Sequence, residues 1–402
     1  MPAAPRPTTT RSALSSHCVP STSSTTSGVS LLIWTADAST PPRGSQRLME
    51  LPVDPNQVGP VCLVTGGNGY VGKHLVRRLL ELGCEVRALD LASFQGDSRV
   101  KSIVGDIRQP SDMQPACEGV DTVFHAAAII NTLTLARPSV RRHVYGVNVE
   151  GTECVIRACQ AAGVKKLIFT SSITVAVDRP IREGDETAPY VGADGLPDLY
   201  SQTKSRAEKL VLEADDPNGL RTAAVRPGGV WGPGEGAMMV RDFLEHLAAG
   251  QFKATIGDGT SVTDNVHVDS VIDVHFLVAH KLTDDPDLVA GEAYFVSDDE
   301  PINPVTWYRP IVEGLGYTWP KFHVPRRVAY AFAYLGEVMH YLGGPFPTVT
   351  RRGVLSICRD ASFRVDKARA HLGYEPRTSA AEGIPKLMHE FRATHDRFKA
   401  AR

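Results

Sequence analysis

The amino-acid sequence predicts an α/β protein with a doubly wound parallel sheet and a smaller C-terminal lobe. Apolar runs of strand length alternate with amphipathic helical segments from Gly59 to about residue 290, a pattern typical of parallel strands joined by crossover helices. The first apolar run, at 61–64, ends in a glycine-dense turn and is followed by a helical pattern at 71–82. The regular alternation fades beyond Gly291, so the last part of the chain is predicted to form the smaller lobe.

The glycine-dense turn has the spacing of a phosphate-binding loop, with Gly66, Gly69 and Gly72 three residues apart. Side chains at the first two glycines would hold a pyrophosphate away from the backbone N–H groups, and a side chain at the third would push the helix off the strand. The helix N-terminus, with Tyr70 and Val71, offers unpaired N–H groups and the positive end of the helix dipole. This context predicts a Rossmann-type dinucleotide-binding fold, although an accidental glycine-rich turn would share the local sequence.

The second predicted strand, at 85–89, ends at Asp90, about twenty residues beyond the glycines. A carboxylate at this position can accept hydrogen bonds from the adenosine ribose hydroxyls, and it repels a 2′-phosphate. Residues 91–93 include no Arg or Lys that would bind such a phosphate. The sequence therefore favours NAD over NADP. The alternative is that Asp90 only ends its strand in a turn.

Two further strand ends carry residues suited to line a bound dinucleotide. The stretch 103–107 ends in Asp106 and Ile107, and Asp106 is placed to face the adenine edge. The strand predicted at 122–125 runs into three small residues, Ala126, Ala127 and Ala128, which would let the backbone pass close beneath the cofactor. A turn of small residues without any ligand would have the same composition.

Ser172, Tyr200 and Lys204 are the residues suited to catalysis. Ser172 follows the strand predicted at 166–170, and Tyr200 and Lys204 are four residues apart on a predicted helix, so they share one face. A phenol has a reference pKa of about 10, which a neighbouring ammonium group or an oxidised nicotinamide lowers. Ser172 can hold the oxygen of an alcohol while Tyr200 removes its proton. A Tyr-x-x-x-Lys pair alone is common, but after the glycine turn it predicts a dehydrogenase.

Three other residues have both a functional and a structural interpretation. Asn148 lies inside the helix predicted at 140–162, where its amide bonds a neighbouring strand or a water, or lies on the helix surface. Pro227 follows the strand predicted at 222–225 and directs the chain towards the nicotinamide side, or belongs to an ordinary loop. His267 precedes an apolar helix and is predicted to be structural, because Tyr200 and Lys204 already supply acid–base chemistry.

Composition and charge argue against several classes of protein. The net charge is −2 without any basic run, so nucleic acid is not predicted as a partner. The seven cysteines are scattered without a C-x-x-C pair; we predict reduced core residues of an intracellular protein and no metal site.

An apolar segment, residues 328–342, is too short to span a membrane and contains Glu337. It could form a core helix, line an apolar pocket or rest on a membrane surface. We therefore predict a cytoplasmic protein and leave peripheral membrane association open.

Residues 1–50 differ from the rest, being rich in Ser, Thr, Pro and Ala. They are interpreted as a disordered tail, an organelle transit peptide or an over-extended start ahead of Met49, and we favour the tail. The predicted organisation is a disordered tail over 1–58, an NAD-binding Rossmann domain over 59–290 and a C-terminal substrate-binding lobe over 291–402. Inserts near 176–196 and 228–260 are assigned to the substrate lobe.

The motifs together resemble the extended short-chain dehydrogenase/reductase superfamily over about residues 61–376. The resemblance rests on Thr65-Gly-Gly-Asn-Gly-Tyr-Val-Gly72, Asp90, His125-Ala-Ala-Ala128, Thr170-Ser-Ser172, Tyr200-x-x-x-Lys204 and Arg226-Pro227. Within it the chain is most similar to the 3β-hydroxysteroid dehydrogenase/Δ5-isomerase family and to sterol 4α-carboxylate 3-dehydrogenases. That narrower resemblance rests on the stretches 224–234, Gly291-Glu-Ala-Tyr-Phe-Val-Ser-Asp-Asp-Glu-Pro-Ile302 and His371-Leu-Gly-Tyr-Glu-Pro376.

The resemblance implies NAD-dependent oxidation of the 3β-hydroxyl of a steroid or sterol. It makes Ser172, Tyr200 and Lys204 the catalytic set, with Tyr200 and Lys204 also contacting the cofactor. It makes Asp298 the proton carrier of a Δ5–Δ4 isomerisation, unless Asp298 is only a turn residue. The partner is then a small steroid or sterol, and a homodimer is left open. The rival hypotheses are a decarboxylating sterol dehydrogenase, a nucleotide-sugar epimerase or dehydratase, and a non-catalytic NAD-binding sensor.

Overall fold

The computed structural model describes residues 54–192, 198–234 and 238–402. Most of the predicted N-terminal tail, with Cys18, and parts of the two predicted inserts lie outside these residues. The strands are β1 (Val61–Thr65), β2 (Glu85–Asp90), β3 (Lys101–Val104), β4 (Thr122–His125), β5 (Lys166–Thr170), β6 (Ile181–Gly184), β7 (Arg221–Pro227), β8 (Gly229–Trp231), β9 (Thr255–Ile256), β10 (Asn265–His267), β11 (Glu292–Val296), β12 (His323–Val324) and β13 (Ala361–Phe363).

The helices complete the alternating pattern, and a π-helical segment, Gly146–Glu150, joins the fourth helix to the fifth. The α-helices are α1 (Pro55–Val58), α2 (Tyr70–Glu81), α3 (Pro110–Cys117), α4 (Pro138–Tyr145), α5 (Gly151–Ala162), α6 (Leu199–Glu213), α7 (Met238–Ala248), α8 (Val268–Asp284), α9 (Pro286–Val289), α10 (Arg309–Gly314), α11 (Arg326–Tyr341), α12 (Arg351–Cys358), α13 (Asp366–Leu372) and α14 (Ala380–Ala400).

Seven parallel strands form the central sheet in the order β11-β7-β5-β4-β1-β2-β3. β1 lies between β2 and β4, with Val64 opposite Ala88 on one side and Phe124 on the other. The strand order therefore reverses at β1, and the crevice at the carboxyl ends of β1 and β4 is where ligands bind in sheets of this kind. The predicted doubly wound parallel α/β fold is confirmed.

Both faces of the sheet are covered, which explains why its strands are apolar throughout rather than alternating. One cluster of buried residues joins Cys62 and Val64 of β1 to side chains of α2, α8 and α13. The other cluster joins Leu63 of β1 to side chains of α3, α5 and α6. Because successive strand residues point to opposite faces, one short strand anchors both helical layers.

The predicted domain boundary between residues 290 and 291 would separate one strand, β11, from the central sheet to which it belongs. β11 pairs with β7 along its whole length, from Glu292 opposite Ala223 to Val296 opposite Pro227. Its Tyr294 is buried in the core beside the side chains of α8. The strand therefore belongs to the central sheet, and the boundary would have to lie beyond residue 296. The division of the remaining C-terminal residues into a separate lobe stays a prediction.

Small parallel ladders connect the two predicted inserts to the C-terminal part of the chain. β6, in the first insert, pairs with β13, and β9, in the second, pairs with β12. β8 pairs with β10 beside the central sheet. Among the cysteines that the structure describes, Cys62, Cys84, Cys117, Cys154 and Cys159 are buried, whereas Cys358 is half-buried. No helix in the described part of the chain is long and apolar enough to cross a membrane.

Candidate active site

The glycine turn is packed too tightly to accept side chains. Gly66 has a φ of +71°, and a Cβ there would lie 2.8 Å from the backbone N and Cα of Ala127. A Cβ on Gly72 would lie 2.1 Å from the carbonyl oxygen of Gly66. The third glycine is therefore required for packing of α2 against the turn itself, rather than against the strand as predicted. Gly69 is the N-cap of α2 and makes no side-chain cap, so the cradle fits an anionic group such as a pyrophosphate.

Asp90 lies directly against this turn. Its carboxylate accepts hydrogen bonds from the backbone N–H of Asn68 at 2.9 Å and of Leu91 at 2.7 Å. Two residues that the sequence reasoning missed lie nearby. Asn68 donates through its side chain to the carbonyl of Ala92 at 2.9 Å, and the Asp90 carboxylate acts on Lys73, whose pKa is lowered by burial despite that carboxylate. Asn68 lies in the quoted glycine motif and Lys73 directly follows it, so their positions were visible even though their contacts were not.

The other residues predicted to line the cofactor are placed around the same crevice. Asp106 forms an ion pair with Arg108, which lowers the pKa of its carboxyl group, and Ile107 is buried against α5 at Gly151. Ala126, Ala127 and Ala128 are half-buried, and the backbone of Ala127 packs on Gly66. The close approach expected for the three alanines is therefore present between β4 and the glycine turn, while contact of these residues with a cofactor stays a prediction.

Ser172 and Tyr200 are brought together at the carboxyl end of β5. Ser172 caps a short 3₁₀ turn, Ile173–Ala176, by accepting a hydrogen bond from the N–H of Thr174 at 3.3 Å. Tyr200 is in the first turn of α6, which Asp198 caps through the N–H of Ser201 at 3.0 Å. Ser172 lies near enough to Tyr200 that hydrogen bonding by its hydroxyl lowers the pKa of the phenol. Two hydroxyls in this arrangement can bind one alcohol or carbonyl oxygen and transfer its proton.

Burial is the largest influence on both titratable groups of the set. The pKa of Tyr200 is raised to about 12, mainly by burial and to a smaller extent by the Asp198 carboxylate, whereas hydrogen bonding by Ser172 and the Arg352 guanidinium lower it. Burial lowers the pKa of Lys204 to about 7. These shifts follow the rule that a low-dielectric site disfavours the charged form of either group.

Lys204 does not act on the Tyr200 pKa in the way that its spacing predicted. Its ammonium group donates to the carbonyl oxygen of Thr170 at 2.6 Å and lies 4.3 Å from the ring centroid of Phe169. The Lys204 charge is therefore directed to the end of β5. The groups that lower the Tyr200 pKa, against the effect of burial, are Ser172 and Arg352. An effect of Lys204 on the phenol of the cofactor-bound enzyme stays a prediction.

Asn148 stabilises the floor of the site. It lies in the π-helical segment and is 2% exposed. Its amide accepts from the N–H of Ile129 at 2.7 Å and donates to the carbonyl of Ile129 at 3.0 Å and to Thr203 Oγ1 at 2.9 Å. It thus ties the segment after β4 to α6, and the alternative of a surface Asn is wrong. The π-helical turn, a feature frequent at functional sites, had no recognisable signal in the sequence.

Asp298 is buried away from solvent and both of its carboxylate oxygens are bonded. One accepts from the backbone N–H of His267 at 2.8 Å and the other from the Trp231 indole at 2.7 Å. Burial raises the Asp298 pKa to about 7. His267 in turn caps α8 by accepting from Asp269 N–H at 3.3 Å, which fits its predicted structural role. Pro227 is the last residue of β7, so the prediction that it follows the strand is wrong.

Two ion pairs beside the site had no sequence signal, because their partners are far apart in the chain or hidden in a helix. Glu208 of α6 and Arg226 of β7 form a buried bidentate pair, to which Tyr190 donates at 2.7 Å. Arg352 of α12 bonds the Asp198 carboxylate at 3.0 Å. The second pair connects the C-terminal part of the chain to the helix that carries Tyr200.

Comparisons with known proteins show which family the chain resembles. The profile of the 3-beta hydroxysteroid dehydrogenase/isomerase family matches residues 63–326. Short-chain dehydrogenase/reductase family 42E member 1 of Homo sapiens is 38% identical over 330 residues, covering 78% of this chain and 83% of the human protein. The 3 beta-hydroxysteroid dehydrogenase/Delta 5-->4-isomerase of Mycobacterium tuberculosis is 36% identical over 333 residues, covering 81% of this chain and 89% of the bacterial protein.

Solved structures share the fold. The crystal structure of gox2253 superposes with a TM-score of 0.63 at 28% identity, covering 83% of this chain and 99% of that chain. DesIV, a dTDP-glucose 4,6-dehydratase from Streptomyces venezuelae crystallised with NAD and TYD, superposes with a TM-score of 0.64 at 22% identity. It covers 85% of this chain and the whole of that chain. At the lower identity the likeness concerns the fold alone.

Proposed function

The chain belongs to the 3-beta hydroxysteroid dehydrogenase/isomerase family, and from this premise we propose that it oxidises the 3β-hydroxyl of a steroid or sterol to a ketone with NAD. The observation that carries the proposal is that Ser172, directly after β5, and Tyr200, in the first turn of α6, come together at the carboxyl edge of the sheet. The glycine turn lies at the same edge, two strands away at the end of β1. An oxidoreductase needs a proton acceptor and a dinucleotide cradle side by side, and this edge supplies both.

In the proposed reaction, Ser172 donates a hydrogen bond to the substrate oxygen and Tyr200, as phenolate, accepts the hydroxyl proton. NAD, when bound, supplies the acceptor for the hydride that leaves the carbinol carbon. Gly66, Gly69 and the N-terminal turn of α2 would hold its pyrophosphate, and Asp90 would accept from its ribose hydroxyls.

Two observations bear on how the chain prepares the phenolate. Tyr200 has its pKa raised to about 12 by burial, so phenolate formation costs free energy near neutral pH. The hydrogen bond from Ser172 and the charge of Arg352 reduce that cost. Lys204, with a pKa lowered to about 7, changes charge in the same pH range and would contact the cofactor from the end of β5.

Oxidation is proposed as the main activity, and Δ5–Δ4 isomerisation by Asp298 is a second candidate activity. A pKa raised to about 7 by burial suits a proton carrier. Both oxygens, however, already accept N–H hydrogen bonds, from His267 and Trp231, which supports a structural role in joining β8, β10 and β11.

Asp298→Asn tests the isomerisation, because it removes the titratable carboxyl group and keeps a side chain of nearly the same size. If Asp298 carries the proton, this variant still reduces NAD but no longer forms the conjugated enone, which is followed by its ultraviolet absorbance. Asp299→Asn is the matched control, since Asp299 is the exposed neighbour with a φ of +56° that Asn tolerates. Enone formation at the wild-type rate in Asp298→Asn would assign Asp298 the structural role.

The main proposal is tested by following NADH formation with a 3β-hydroxy-5-ene steroid and a UDP-sugar in parallel. Steroid-dependent reduction of NAD that falls at least a thousandfold in Tyr200→Phe supports the proposal. Tyr145→Phe is the control, because Tyr145 is exposed on α4 and should leave the rate unchanged. Turnover of the sugar alone would favour a nucleotide-sugar epimerase or dehydratase, and no reduction with either substrate would favour an NAD-binding sensor.

Release of carbon dioxide from a sterol 4α-carboxylate in the same assay would identify the decarboxylating alternative. The predicted cytoplasmic location is likewise a proposal, and the homodimer that the sequence left open is tested beside it. Fractionation of cells that express the chain tests the first, and sedimentation velocity of the purified protein tests the second.

A further inference from the structure

Lys204 is a buried amine whose direct contacts are uncharged. Its side chain is 3% exposed, its Nζ donates to the carbonyl oxygen of Thr170 at 2.6 Å, and it lies 4.3 Å from the ring centroid of Phe169. Within the part of the chain that the structure describes, no carboxylate forms a salt bridge with it. Because burial without a counter-ion favours the neutral amine, Lys204 needs a negative charge from farther away to stay an ammonium ion.

Glu208 can supply that charge. It lies one turn beyond Lys204 on the same face of α6, and it is fully buried. Arg226 donates to its carboxylate from Nη2 at 2.6 Å and from Nε at 3.1 Å, and the Tyr190 hydroxyl donates at 2.7 Å. Hydrogen bonds to a carboxylate favour its ionised form. The network therefore holds one fixed negative charge a single helical turn from Lys204.

The Arg226 charge offsets only part of this effect, because the two cations lie towards opposite neighbours of β7. The Arg226 guanidinium lies 4.9 Å from the ring centroid of Phe295, the residue directly opposite it on β11. Lys204 lies over Phe169 of β5, and β7 separates β5 from β11 in the sheet. The guanidinium is thus displaced away from the lysine, while the Glu208 carboxylate shares the helix face of the lysine.

The other titratable groups around Lys204 are neutral near pH 7. His125 of β4 has its pKa lowered to about 3, by burial and by the Lys204 charge, and burial raises the pKa of Tyr200 to about 12. Burial also raises the pKa of Tyr190. For Lys204 itself, burial lowers the pKa to about 7 and the Glu208 charge raises it, in agreement with the contacts.

We propose that Glu208 is a positioning residue of the active site, which holds Lys204 as an ammonium ion while Arg226 and Tyr190 fix its carboxylate. The inference rests on the proposed function, in which Lys204 contacts the bound cofactor from the end of β5. Tyr190 belongs to the first predicted insert, so the same network connects that insert to the lysine.

Titration of Lys204 in the full chain, without NAD or steroid, tests the proposal. The lysine ε-carbon signals of ¹³C-labelled protein are followed by NMR over the pH range, and the Lys204 signal is identified by its absence from Lys204→Met. Glu208→Gln should lower the Lys204 titration midpoint by about one pH unit, since a nearby opposite charge contributes about one to three units. Asp215→Asn is the matched control. It breaks an ion pair with Arg221 at 3.2 Å, at the amino end of β7, and should leave the midpoint unchanged.

Two further variants separate the Glu208 charge from its structural role. Glu208→Gln leaves Arg226 without its counter-ion, and an unpaired cation would itself lower the pKa of Lys204. Glu208→Gln combined with Arg226→Gln removes both charges, and the Lys204 midpoint should still be about one pH unit below that of the wild type. Glu208→Asp keeps the charge, so the midpoint should stay within about half a unit of the wild-type value even where urea unfolding shows a loss of stability.

Steady-state kinetics connect the charge to the cofactor. If the Lys204 midpoint falls from about 7 by one unit, its charged fraction falls about tenfold at pH 8 and less than about twofold at pH 6. The KM for NAD of Glu208→Gln should therefore rise up to about tenfold at pH 8 and change little at pH 6. A purely structural defect would raise the KM equally at both pH values, which would contradict the proposal.

Two NMR results would overturn the role of Glu208. The first is an unchanged Lys204 midpoint in folded Glu208→Gln. The second is a midpoint that returns to the wild-type value when Arg226→Gln is added, because the unpaired guanidinium would then be the cause of the shift. The titration needs no turnover, so its result is distinct from a failure of the proposed reaction, which would show as an absence of NADH formation by the wild type.

Discussion

Arg352→Gln is expected to loosen the helix that carries Tyr200 from a distance of 152 residues in the chain. Arg352 forms a salt bridge with the Asp198 carboxylate, with Nε 3.0 Å from Oδ2, and the two side chains are 19% and 1% exposed. Asp198 caps α6 by accepting from the N–H of Ser201 at 3.0 Å and from its hydroxyl at 2.7 Å. Removing the guanidinium therefore leaves a buried carboxylate with hydrogen bonds but without a counter-ion.

The expected loss follows from that geometry. Breaking a buried ion pair costs about 3–5 kcal/mol. Because Asp198 keeps its two hydrogen bonds from Ser201, we expect Arg352→Gln to lower the free energy of unfolding by about 2–3 kcal/mol. A second effect concerns catalysis. Arg352 lowers the Tyr200 pKa, so its removal raises that pKa and moves the rise of the oxidation rate to higher pH.

Urea unfolding of the wild type, Arg352→Gln, Asp198→Asn and the double variant measures the first effect, and pH–rate profiles of NAD reduction measure the second. The double-mutant cycle should give a coupling of about 1–3 kcal/mol. Arg182→Gln is the control. It breaks a shorter bond, 2.8 Å to Asp360, but Arg182 is 57% exposed, so the loss should stay within about 1 kcal/mol.

Equal losses of stability in Arg352→Gln and Arg182→Gln would contradict this prediction, because burial would then not determine how much an ion pair contributes. A pH–rate profile of Arg352→Gln that coincides with the wild-type profile would contradict the effect on Tyr200.

Further predictions concern the glycine turn, the choice of cofactor and the response to acid. Gly72→Ala should raise the KM for NAD at least tenfold and destabilise the fold by about 1–3 kcal/mol, because the added methyl group clashes with the backbone of the turn. Gly146 is helical at φ −55° and a Cβ there would have no contact under 3.5 Å, so Gly146→Ala should stabilise the fold by about 0.4–1 kcal/mol. Urea unfolding and NAD kinetics compare the two variants. Asp90→Ser should shift the ratio of kcat/KM values towards NADP, and an unchanged ratio would contradict its proposed role. His125 is hydrogen-bonded through both ring nitrogens, and burial lowers its pKa to about 3. The unfolded chain therefore binds a proton on this histidine at a higher pH than the folded chain does, so stability is lost as the pH falls from about 6.5. His125→Gln should reduce this loss, as measured by unfolding between pH 4 and 7.

The central sheet could be predicted because its signals are local. The glycine turn, the strand before it and the helix after it lie within a few residues of each other, and their conformations depend on sterics within that stretch. Tyr200 and Lys204 share one side of α6 for the same reason, since helix periodicity alone determines which residues are neighbours. The fold class and the phosphate-binding turn after β1 therefore followed from patterns of short range.

Predictions that depended on long-range contacts did less well. β11 was assigned to the C-terminal lobe because the regular alternation fades beyond Gly291, just before this strand, yet its pairing with β7 depends on partners about 70 residues earlier. The residues around the Asp298 carboxylate, Trp231 and His267, are likewise 67 and 31 residues away. No local pattern records such contacts.

The sequence by itself determined a dinucleotide-binding sheet and placed Ser172 and Tyr200 at its edge, because strand ends and helix periodicity are properties of contiguous residues. Only the tertiary structure decided that the Lys204 ammonium turns to Thr170, that Arg352 bonds the cap of the Tyr200 helix, and that α11 faces its apolar side outward. The physical reason is the same in each case. A buried charge takes whichever partner the packing of distant segments brings within hydrogen-bond distance, and that choice is made in three dimensions.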